Sequence, residues 1–104
     1  MENDDKRIKD FTDLRAWQEG HKLALVIYNL TNSFPGEERY SLADQIRRAA
    51  VSITSNIAEG FSRHSSNEKR YFYSMARGSS TELQNQLILG RDLKYISPEE
   101  FDEV

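Results

Sequence analysis

Cysteine is absent, and that absence removes disulfides, thiolate zinc sites and cysteine nucleophiles together. Proline occurs twice and glycine five times in 104 residues, so long stretches run without a natural breaker. No window approaches 18 uncharged apolar residues, which argues against a transmembrane span and a membrane partner. The first ten residues, Met1 to Asp10, are charged and hold no apolar signal-peptide core, so a cytoplasmic location is expected. Gly-rich phosphate loops and G-x-S-x-G and H-E-x-x-H motifs are missing. His21 and His64 lie in different segments, and neither sits in the E-x-x-H pattern that a di-iron bundle needs twice. The expectation is a protein that is not an enzyme, with no metal and no other cofactor.

What the chain does contain is helical periodicity. Apolar residues make up 38% and charged residues 30%, enough for one modest domain. Residues 1–10 read as a charged, flexible tail and 11–104 as a single domain. Helices are expected at about 14–33, 41–59, 66–94 and 98–104. Asp13 is the expected N-cap of the first, and Phe34-Pro35-Gly36 ends it. Ser41 with Asp44, and Ser65 with Glu68, resemble capping boxes, and Gly60 suits a C-terminal cap. Ser97-Pro98-Glu99-Glu100 opens a fourth helix that is only begun before the sequence stops, which points to truncation. Short links fold neighbouring helices back on each other, so the fold class is all-α, an antiparallel up-down four-helix bundle.

The first helix carries two apolar stripes. Leu14, Trp17, His21, Leu25 and Tyr28 form one, and Ala16, Leu23, Val26, Ile27 and Leu30 the other. A helix at the edge of a bundle needs only one. The second stripe, with Leu23, Val26, Ile27 and Leu30, is therefore expected to lie between copies of the chain. Gly78, inside the third helix, costs about 1 kcal/mol relative to Ala, which predicts close packing against its backbone.

Charge is unevenly spread. The formal net charge is −3, yet residues 39–77 hold seven bases against three acids. Six of those seven bases are Arg, whose planar fork suits phosphate. Arg63, His64, Lys69 and Arg70 cluster with Tyr71 and Tyr73, a composition that fits a single-strand platform. The competing reading is a solvated, salt-bridged face, with Arg48 on Asp44 and Glu59 on Arg63 or Arg48.

The run Tyr40 to Gly60, YSLADQIRRAAVSITSNIAEG, resembles the signature of a bacterial four-helix-bundle family encoded in 23S rRNA intervening sequences. Phe11-x-x-Leu14-x-x-Trp17-Gln18, Gly78-Ser79 with Glu82-Leu83, and Leu93-x-Tyr95-Ile96-Ser97 resemble it too. Thr54 stands where members often carry Pro, so the second helix should be less kinked. The resemblance implies a ring-shaped homo-oligomer, a pentamer. Similar proteins encoded with diversity-generating retroelements are positively charged barrels that bind nucleic acid and a reverse transcriptase. It therefore implies RNA or DNA and a nucleic-acid enzyme as partners, with Arg47, Arg48 and Arg63 at matching positions. Lys69 and Arg70 join them from the charge reading. A protein-interaction scaffold with no nucleic-acid role is the alternative.

Overall fold

The structure, a computed structural model, describes residues 8–104. Most of the expected tail, residues 1–7, lies outside the described residues. The part within them is built into the fold. Asp10 caps a 3₁₀ turn at Phe11–Asp13, its carboxylate accepting from the Phe11 N–H at 2.7 Å. Asp13 returns the bond, accepting from the Asp10 N–H at 3.0 Å. Asp13 therefore belongs to a capping box one turn earlier than expected. Helix α1 (Arg15–Thr31) starts at Leu14 with no side-chain cap, and the Gln18 amide ties it back to the Thr12 carbonyl at 3.0 Å.

Pro35 opens a second 3₁₀ turn, Gly36–Glu38, that leads into α2 (Leu42–Phe61). The Ser41 side chain makes no capping bond; the Glu38 carboxylate takes the Leu42 N–H instead, at 3.3 Å. Helix α2 runs unbroken through Thr54 and past Gly60, so Gly60 is interior rather than a cap. It is buried, and a Cβ there would come within 2.7 Å of the Tyr73 ring. Helix α3 (Ser66–Asp92) begins as predicted, with the Ser65 hydroxyl accepting from the Glu68 N–H at 3.1 Å. Helix α4 (Pro98–Glu103) is short and opens on a complete capping box between Ser97 and Glu100.

Helix α2 is the central element. It packs against α1 and α3, which hardly touch each other, and the molecule is a slab of 48 × 30 × 19 Å. Small residues on α2, Ala43, Ala49 and Ala50, let its neighbours approach, while Ile46, Ile53 and Ile57 fill the space between them. Ile27, Ile46 and Ile96 are the most completely enclosed, each worth roughly 1.5–3 kcal/mol of burial. Ser52 and Ser79 join α2 to α3 through a hydroxyl bond of 2.7 Å. Phe101 and Val104 lay α4 against the same core. The expected all-α bundle is what forms, with its fourth helix short.

The assignment of the two α1 stripes is reversed. Ile27 is 0% and Leu30 7% exposed, and Leu23 packs partly against the core, so three residues assigned to an intersubunit face belong to the chain's own interior. Of that set only Val26 is open to solvent. Of the other stripe, Leu14 and Trp17 also pack against the core, and its later part stays exposed, with Leu25 at 60% and Tyr28 at 45%. Gly78 is also corrected: a Cβ there would meet nothing within 4 Å.

Candidate nucleic-acid interface

The five expected basic residues fall into two places. Arg47 and Arg48 lie near the start of α2, and Arg63, Lys69 and Arg70 near its end. Sixteen residues separate Arg47 from Arg63, about 24 Å of helix, so they do not form one site.

Arg47 is a structural clamp. Its Nε donates to the Thr31 hydroxyl at 2.6 Å, and its Nη2 to the Tyr28 carbonyl and the Asn32 side chain at 3.2 and 3.0 Å. The guanidinium also lies over the Tyr28 ring, 4.7 Å from its centroid. Three of its five donors are spent on the end of α1, leaving the two on Nη1, so a tie between helices is the role the structure gives Arg47. Arg48 is exposed and bonds Asp44 at 2.9 Å. That hydrogen bond, and the charge of Asp44, raise the Arg48 pKa further above its ordinary value.

Arg63 pairs with Glu59 and lies 4.7 Å over the Phe72 ring. Lys69 reaches back across the link and donates to the Phe61 carbonyl at 2.9 Å and the Gly60 carbonyl at 3.4 Å. It satisfies the Phe61 carbonyl, which the end of α2 would otherwise leave open, and adds to the Arg63 N–H already on Gly60. Arg70 is exposed and makes only one long bond, to Asn67 at 3.3 Å. So part of the expected basic cluster is spent on the fold, and Arg70 is the member left most available.

The structure adds a residue that the charge reading left out of the site. Arg77 stands two turns beyond Arg70 on the same face of α3, and no carboxylate among the described residues pairs with either. Ser66, Lys69, Arg70, Tyr73, Ser74 and Arg77 line a shallow groove of about 450 Å³. A second depression, of about 290 Å³, continues it past Ser74, Arg77, Gly78 and Thr81. From Ser66 to Thr81 the channel follows α3 for about 22 Å. Its signal was present in the sequence as the spacing Arg70, Ser74, Arg77, Thr81, one helical face without an acid. Uncompensated guanidinium groups, hydroxyls and an aromatic wall can hold a phosphodiester chain. Among the described residues no group of three or more His, Asp or Glu could hold a metal ion, and no helix is long and apolar enough to cross a membrane.

A small all-helical bundle with a basic channel along one helix defines the class of protein. The chain belongs to the 23S rRNA-intervening sequence protein family, whose model matches residues 12–104. No curated protein matches the chain.

Proposed function

We propose that this protein is a non-enzymatic, cytoplasmic accessory protein that binds RNA through the α3 channel and works as a homo-oligomeric ring. The observation that carries the reading is the pair Arg70 and Arg77, two turns apart, without acidic partners among the described residues and beside Tyr73. The family's description, which refers to 23S rRNA, accords with an RNA setting. Assembly is supported by two different apolar edges. Leu25 and Tyr28 stand out from α1, and Met75, Leu89 and Leu93 from α3. Contact between unlike surfaces is heterologous and closes into a ring when the rotation permits. Five copies, the number implied by the resemblance, would turn a two-arginine site into a multivalent one. A nucleic-acid enzyme is a natural further partner for such a ring.

The test is a salt titration of fluorescent RNA binding, run beside solution mass. Each phosphate contact on a single strand should contribute about 0.7 to the log–log slope. Binding that ignores salt, or no binding to RNA or DNA at low salt, overturns the reading. An intact assembly that recovers a protein but no nuclease-sensitive material favours the alternative, an interaction scaffold, which the exposed apolar edges alone would also support.

A further inference from the structure

Four glycines lie inside helices, and three have an evident reason. A Cβ at Gly20, Gly60 or Gly90 would come within 2.9, 2.7 or 2.8 Å of a neighbouring side chain. Gly78 has no such neighbour, and its φ is not positive. An exposed, regular helical position is where Ala or Leu would serve α3 better. The absent side chain is therefore explained by nothing inside the chain. It leaves bare backbone on the floor of the channel, between the Ser74 and Thr81 hydroxyls and next to Arg77.

We propose that Gly78 is the point of closest approach for a single-stranded RNA, whose sugar–phosphate backbone runs past Arg70 and Arg77 and crosses α3 there, just beyond Arg77. The inference rests on the nucleic-acid reading above and deepens it. The surroundings choose the occupant. A helix from a second copy would find the exposed Tyr71 and Met75 on one side of Gly78, but on the other it would have to bury Arg70 and Arg77, for which the described residues offer no carboxylate. A phosphodiester meets two guanidinium groups that no carboxylate among the described residues pairs with, and the Ser74 hydroxyl makes no hydrogen bond among those residues. Tyr73 chooses the single strand. Its ring is 38% exposed in the channel wall, where an unpaired base can stack and a paired one cannot.

The probe is a fluorescent oligouridine, with a duplex RNA of equal length beside it. Gly78→Leu should raise the thermal midpoint, because Leu is the better helix former, and leave the mass of the assembly unchanged. It should weaken oligouridine binding on the order of tenfold, and Gly78→Ala about threefold, the loss of part of one close contact. Arg70→Gln with Arg77→Gln should abolish binding. If the glutamine pair loses binding while both Gly78 variants bind like the parent, the Gly78 inference falls and the channel reading stands. If neither set changes binding, or the parent binds no oligouridine at low salt, both fall. Equal affinity for the duplex overturns the single-strand assignment. A drop in assembly mass in Gly78→Leu would show that the bare backbone receives a second copy of the chain instead.

Discussion

Arg47 meets the end of α1 at a buried hydroxyl, a carbonyl and an amide side chain, and each contact has its own cost of loss. Thr31 is 3% exposed with Arg47 in place, so an Arg47→Ala change removes the donor its oxygen depends on. The expected loss is about 2 kcal/mol, measured by urea unfolding. Arg47→Lys should recover little of it, because an ammonium cannot span three acceptors with a planar fork. Arg48→Ala, one residue along on the exposed face, should leave the urea midpoint where it is. Tyr95 makes a different kind of prediction. Its hydroxyl donates to Glu38 at 3.0 Å; that bond, then burial, then the charges of Glu38 and Glu37 raise the phenol pKa above its ordinary value. The folded protein thus keeps this proton to higher pH than the unfolded chain does. The resulting stability is complete below the ordinary tyrosine pKa of about 10 and is lost as pH climbs through the raised value. Urea midpoints taken on both sides of that range should fall less steeply for Tyr95→Phe than for the parent chain.

Helix ends show which parts of an element a sequence can announce. Starts that depend on a serine and an acid three residues later are legible at Ser65 and Ser97, whereas the same pattern at Ser41 and Asp44 makes no cap because Glu38 takes the Leu42 N–H instead. Stops that depend on distant partners are not legible. Helix α2 passes Gly60 because α3 presses on it and Lys69 ties off its carbonyls from eight and nine residues away. The end of α3 was placed at about Lys94, whereas the helix stops at Asp92 and Lys94 adopts a φ of 69°. There the Tyr95 N–H returns to the Gly90 carbonyl and the Lys94 N–H to the Arg91 carbonyl, both at 2.9 Å, a Schellman closure with lysine where glycine is usual. A left-handed residue with a Cβ costs roughly 1–2 kcal/mol, part of which glycine gives back through a freer unfolded chain. Lys94→Gly should therefore gain up to about 1 kcal/mol in denaturant unfolding. Gly90→Ala should lose stability, since its methyl would arrive 2.8 Å from Ile96, a side chain itself only 2% exposed.

At the scale of the whole molecule, the slab has more apolar edge than interior to hide it. Periodicity found both stripes of α1 but could not rank them, because each is apolar and their difference lies only in which way the helix is turned against α2. The turn is set by Gly20, which has no room for a side chain beside Thr54, and by the Arg47 clamp at the other end. Those two contacts bring Ile27 and Leu30 inward and leave Leu25 and Tyr28 outside. The consequence separates folding from assembly. Ile27→Asp places a charge in a position with no exposure and should unfold the chain, seen as loss of helical circular dichroism. Leu25→Asp places the same charge on a side chain already 60% exposed, so helical content should be kept. If copies pack through the α1 edge, Leu25→Asp should yield smaller particles by light scattering, and Leu89→Asp on the α3 edge should do the same. Mixing the two variants should restore pairs but no ring, because the intact α3 edge of one meets the intact α1 edge of the other and leaves two spoiled edges outside. A parent protein that stays a single copy at high concentration would leave the arginine channels ungathered and remove the case for a ring.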